Sequence, residues 1–393
     1  MLSLARPSRR LVGGSRLPKV AAGSLALALS LPTANVVAQT PLPPPYNYDE
    51  PLPKPPSPLP DWQALILGST RQSYRMPVYA NRNLADGLKD IRRVIVVLPS
   101  ARRKAGQHYQ DIAPLVTRDP DRKADTLILA LEFPTSIDAS FTGFPAWRKA
   151  SWETGGESVQ SADRPAPMSA FQVLDDIVLR LTDRQELPAL TDIVLAAHGS
   201  GAQLLQRYAV LNDLDGMVRR HGSGLRYVVA NAPSYLYLTD ERPRRNRAGY
   251  APYERGICPT YNQYPYGPQQ LPPYAQDPAS ASLYVRYAAR DVVYLLGSAD
   301  NNPEGRGLDK HCGAMAQGAT RLSRGQDYLR YDHLLANRGN QPIKLMHVQQ
   351  HVMKVGHDAA GMFRSECGTR ALLGDDAQAA DRAATCETIT PLP

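Results

Sequence analysis

A serine, an aspartate and a histidine stand in that chain order at Ser200, Asp300 and His357. A serine hydroxyl becomes a nucleophile when an imidazole takes its proton and a carboxylate holds that imidazole in the right tautomer. The chemistry open to such a set is acyl transfer, with a covalent ester on the serine that water then releases. Ser200 lies in Ala196-Ala197-His198-Gly199-Ser200-Gly201-Ala202, a cluster of tiny residues between an apolar run and a segment with helical spacing. Asp300 closes Gly297-Ser298-Ala299-Asp300, and His357 lies in Val355-Gly356-His357-Asp358. Asp309, in the same loop as Asp300, is the alternative acid. A developing oxyanion needs backbone amides. The candidates are Gly201, just after the serine, and Ser100 or Ala101 in Leu98-Pro99-Ser100-Ala101, because Pro99 has no amide to give.

These residues need a scaffold that brings distant segments to one edge. Arg93–Leu98 and Leu127–Leu131 are β-branched or leucine-rich runs, as in strands buried on both faces. Further strands are expected at Ile193–Ala197, Arg226–Ala230 and Val292–Leu296, with a last one near Ile343–Val348. Phe171, Leu174, Ile177, Val178 and Leu181 recur at helical spacing, and a second helix starts near Gln203. Strands alternating with helices predict one α/β domain, with a mostly parallel central sheet and helices on both faces. In such a sheet the strand–turn–helix around Ser200 is the place where a nucleophile is lifted out of the backbone.

Other features bound the class. A hydrophobic fraction of 43% in 393 residues is enough for a large core. Arg6, Arg9, Arg10, Arg16 and Lys19 precede the apolar stretch 20–31, and Val36-Val37-Ala38 follows, so residues 1–38 read as a signal peptide. The apolar run is too short for a membrane span. Ser8-Arg9-Arg10-Leu11-Val12 leaves general and twin-arginine export both open. Residues 39–61 form a proline-rich linker, either a spacer or a contact with the cell envelope. The domain proper is expected over 62–393, with a Tyr/Pro-rich cap or loop insertion at 236–285. The expected location is secreted or periplasmic. There the four cysteines, Cys258, Cys312, Cys367 and Cys386, are disulfide candidates with three connectivities. Cys367 with Cys386 would close the tail, and Cys258 with Cys312 would tie down the insertion. The net charge of +8 comes from scattered arginines and carries no nucleic-acid signature. No metal and no cofactor are expected. His108, His311, His333, His347 and His351 read as surface or loop histidines, and Asp175 and Asp176 as a solvated helix face.

The region from Val94 to Leu373 resembles a secreted or periplasmic branch of the α/β-hydrolase superfamily, of the esterase and lipase type. The resemblance is carried by Gln203-Leu204-Leu205-Gln206-Arg207-Tyr208 after the turn and by Ala230-Asn231-Ala232-Pro233-Ser234-Tyr235-Leu236-Tyr237. Tyr294 through Asp300, Met315-Ala316-Gln317-Gly318 with Arg324-Gly325, and Val355 through Phe363 complete it. It implies the α/β-hydrolase fold, with Asp300 as the acid and His357 as the base. At the nucleophile the superfamily pattern, small-x-Ser-x-small, allows two registers. With Ser200 as nucleophile, His198 and Ala202 flank it two residues away. Aligning His198, Gly201 and Gln203 to the pattern instead puts Gly199 at the nucleophile position and leaves Ser200 as a helix-capping hydroxyl. The expected function is an exported serine hydrolase acting on a small-molecule or polymer ester. The alternative is a catalytically silent binding protein of the cell envelope on the same scaffold.

Overall fold

A computed structural model describes residues 61–69, 71–244, 248–254, 256–275, 280–374 and 385–388. The expected signal peptide, and the linker up to residue 60, lie outside the described residues.

Strands β1 (Gln63–Ser69) and β2 (Gln72–Ala80) make an antiparallel hairpin that the sequence reading did not anticipate. The next strands are β3 (Arg93–Leu98), β4 (Thr126–Leu131), β5 (Asp192–His198) and β6 (Gly224–Ala230). A short ribbon, β7 (Glu241–Pro243) and β8 (Tyr250–Pro252), precedes β9 (Asp291–Gly297), β10 (Val348–Val352) and β11 (Cys386–Thr388). The described residues form one nine-stranded sheet in the order β1-β2-β4-β3-β5-β6-β9-β10-β11. From β4 to β10 every neighbouring pair is parallel. The helices are α1 (Ala105–Thr117), α2 (Pro120–Asp125), α3 (Ala170–Leu181), α4 (Ser200–Leu211) and α5 (Asp215–Arg220). They continue with α6 (Ser280–Ala288), α7 (Cys312–Met315), α8 (Arg321–Ala336), α9 (Ala359–Arg364) and α10 (Glu366–Leu373).

The central strands are apolar at successive positions because helices cover both faces. Val94, Val96 and Leu98 of β3 join the core that holds α3 and α4. Ile95 and Val97 point the other way, into the core with α1, α9 and α10. Register then decides where the loops meet. Leu98 pairs with Ala197, and His198 pairs with Ala230. The carboxyl ends of β3, β5 and β6 therefore finish together, and the segments after them share one edge of the sheet.

Several expectations are corrected. The last core strand is Val348–Val352, not Ile343–Val348. Ile343 and Leu345 pack against the core from outside the strand, whereas the strand itself buries Gln349, Gln350 and His351 and carries no apolar run. His347 is buried rather than superficial. Its Nδ1 lies 2.6 Å from Asp332 Oδ2, and its Nε2 donates to the Tyr287 carbonyl. His351 is likewise buried, beside Gln349. Asp175 and Asp176 are half-buried and hydrogen-bonded rather than a free solvated face. Asp175 accepts from Tyr208 and Tyr274, and Asp176 from Tyr74. Burial pushes the Asp175 carboxyl up to about 6.

In the 236–285 insertion the tyrosines turn inward. Tyr237 and Tyr261 are buried and sandwich the Arg242 guanidinium at 4.4 and 5.1 Å. Cys258 is bonded to Cys312, and Cys367 to Cys386. Among the described residues, no helix is long and apolar enough to cross a membrane.

Candidate active site

The turn between β5 and α4 is a single residue, Gly199, at φ +62° and ψ −126°. Glycine alone takes this backbone conformation without strain. A Cβ at position 199 would lie 3.3 Å from both Cε1 and Nε2 of His357 and 3.8 Å from Ser100 Cβ. Gly199 therefore occupies the corner that faces the imidazole. One residue on, Ser200 begins α4 and is buried. Its side chain lies near the Glu153 carboxyl, which Gln203 hydrogen-bonds. Burial raises that carboxyl above its usual range, while nearby Ser200, the Arg207 charge and the Gln203 bond pull the other way. Gly201 is needed for a different reason. A Cβ there would sit 2.3 Å from the Pro99 carbonyl, so α4 and the loop after β3 touch through backbone.

Asp300 and His357 are brought together from the loops after β9 and β10. His357 Nδ1 donates to Asp300 Oδ2 at 2.9 Å, and among the described residues this is the hydrogen bond of the His357 ring. The other carboxylate oxygen accepts from Arg321 Nη1 at 3.3 Å. Arg321 is the first residue of α8, set by a capping box between Thr320 and Ser323. Its side chain is 1% exposed and that of Asp300 is 4% exposed, whereas the His357 side chain, at 33%, reaches solvent. The alternative acid, Asp309, is engaged by Tyr266, Ser234 and His311 instead.

Beneath the pair, the His198 ring lies 4.4 Å from that of His357. Burial, and then the nearby His357 charge, hold His198 well below the usual imidazole range. Asn231, in the left-handed region at φ +47°, ties the edge together. Its Oδ1 accepts from the Gly297 amide and its Nδ2 donates to the Gly356 carbonyl. Arg321, Asn231 and Glu153 were not singled out from sequence, because each acts through contacts between segments far apart in the chain.

On the opposite wall stands the loop after β3. The Ser100 amide donates to His108 Nε2 at 3.1 Å, and Ser100 Oγ is 3.1 Å from the same nitrogen. His108 Nδ1 is 3.2 Å from Asp111 Oδ2 but off the hydrogen-bonding direction. His108 and Asp111 are buried, which corrects the surface reading of His108. Their i, i+3 spacing on α1 was the available signal. Of the candidate oxyanion amides, that of Ser100 is thus engaged in the resting state. Ala101 lies on an exposed turn, and Gly201 is among the first amides of α4, which lack intrahelical acceptors. Among the described residues, no group of three or more His, Cys, Asp or Glu side chains is arranged to hold a metal ion.

No known protein family and no curated protein matches the sequence. Solved structures do resemble it. Poly(aspartic acid) hydrolase-1 from Sphingomonas sp. KT-1 is 20% identical at a TM-score of 0.51, over 77% of this chain and 96% of its own. LpqC, a poly(3-hydroxybutyrate) depolymerase from Bordetella parapertussis, is 18% identical at a TM-score of 0.55, over 82% of this chain and 93% of its own. What is shared at this identity is the architecture. With its parallel sheet, its strand–turn–helix corner and its inserted tyrosine-rich segment, the chain has the α/β-hydrolase fold.

Proposed function

We propose that the chain hydrolyses carboxylic esters, with His357 as its general acid–base group and Asp300 as the carboxylate that fixes the ring. One observation carries this reading: Asp300 is buried between Arg321 and His357. A buried carboxylate costs several kcal/mol unless it is paired. Here the pairing holds an imidazole edge toward the β5–α4 corner. In this reading the acyl group is not routed through Ser200, because Gly199 is the residue that faces the ring. The two relatives above are named for polymer substrates, so a polyester is the first substrate class to test, beside small esters. The disulfides support an oxidising compartment, secreted or periplasmic.

Turnover of p-nitrophenyl butyrate and of soluble 3-hydroxybutyrate oligomers tests the reading. His357→Ala is expected to abolish it, and Asp300→Asn to lower kcat by about 10⁴-fold through the wrong tautomer. Gly199 at the corner favours a second reading, a binding protein without turnover. Absence of hydrolysis above buffer, or hydrolysis unchanged in His357→Ala, would leave that one standing.

A further inference from the structure

The corner offers His357 no hydroxyl, but the facing loop holds one. Ser100 Cβ is 3.8 Å from the place of a Cβ on Gly199, which is itself 3.3 Å from His357 Nε2. Ser100 Oγ lies 3.1 Å from His108 Nε2, and Asp111 stands behind that ring. Because the Ser100 N–H donates to Nε2, that nitrogen is unprotonated and the ring proton sits on Nδ1, the side of Asp111. His108 and Asp111 are buried while Ser100 is half-buried, so the base is shielded from solvent and the serine is not. Serine, histidine and carboxylate thus occur a second time, on the wall opposite His357.

We propose that Ser100 is the nucleophile of this site, with His108 as its base; the assignment rests on ester hydrolysis at His357. In acylation Ser100 Oγ bonds to the acyl carbon, its proton passes to His108 Nε2, and the carbonyl π pair moves onto oxygen. Collapse breaks the ester C–O bond, and the alcohol leaves with a proton from His357 Nε2. Water next adds to the acyl carbon and returns a proton to His357. Ser100 departs as its Oγ takes back the proton on His108, so both rings end as they began.

The test is labelling of the full-length protein with a fluorophosphonate, with the adduct mapped by mass spectrometry. The adduct is expected on Ser100, lost in Ser100→Ala and slowed on the order of 10²–10⁴-fold in His108→Gln. It should persist in His357→Gln, because fluoride leaves without a proton, while hydrolysis of an alkyl ester falls in the same variant. An adduct on Ser200 or any other serine overturns the assignment and leaves ester hydrolysis intact. So does His357-dependent turnover with no adduct at all. Neither adduct nor turnover removes both readings. Should Ser100→Ala not fold, Ser100→Cys replaces it. Alkylation of position 100 by iodoacetamide faster than a free thiol at neutral pH supports the assignment, and the free-thiol rate overturns it.

Discussion

At position 199 the chain leaves a strand and enters a helix within one residue, and its dihedral angles lie where a side chain is strained by roughly 1–3 kcal/mol. An elbow nucleophile has to carry that strain, and glycine relieves it. Gly199→Ser should therefore lower Tm while placing a hydroxyl against His357, since the new Cβ would stand 3.3 Å from Nε2. The expected outcome is a fluorophosphonate adduct at position 199 that disappears when His357 is also replaced by alanine. If no adduct forms at 199, the corner does not present a side chain to the ring as its backbone implies. Ser200 is only one residue away, yet a one-residue step around so tight a turn places it in the first turn of α4, near Glu153.

Helix α1 is the element that places His108 and Asp111, and its own start is anchored from another strand. Lys104, its N-cap, makes no side-chain cap. Glu132, just beyond β4, accepts from the Ala105 amide at 3.1 Å instead. Burial raises the Glu132 carboxyl to about 7, against the lowering effect of that amide and of Arg103. A folded-state pKa above the unfolded value means that the native state holds the extra proton between about pH 4.5 and 7. Stability from this group is thus full below pH 4.5 and declines as pH rises toward 7. Glu132→Gln keeps an acceptor oxygen without the charge. It should stabilise the protein on the order of 1–3 kcal/mol at pH 8 and change little at pH 4, measured by thermal melts at both. An equal effect at both pH values would show that the carboxyl is not held protonated by burial.

For the whole molecule, the two disulfides staple different parts of the fold. Cys258–Cys312 spans 54 residues and fastens the tyrosine-rich insertion to α7. Cys367–Cys386 spans 19 and fastens α10 to the edge strand β11. Loop-closure entropy ranks them at about 4 and about 3 kcal/mol. Replacing Cys258 and Cys312 by alanine should cost more in denaturant midpoint than replacing Cys367 and Cys386. The reverse order would mean that native packing, not chain entropy, sets their contributions. The inward tyrosines around Arg242 make the insertion a packed extension of the core rather than an open aromatic surface.

The sequence by itself determined the layered architecture, because strands such as Arg93–Leu98 and Asp192–His198 are buried on both faces and must be written in apolar residues. It also put Asp300 after β9 and His357 after the last strand it expected, at 343–348, where loops gather at one edge. It could not show β10 itself, whose Gln349, Gln350 and His351 are buried by partners that no local pattern reveals. Nor could it tell which of Gly199 and Ser200 stands at the corner, since both registers use the same small residues. Tertiary structure decided that through one backbone conformation and the direction in which it points a side chain. It decided in the same way that Ser100 lies beside His108, because that contact depends on how the loop packs against α4 and how α1 packs against β4 and α9.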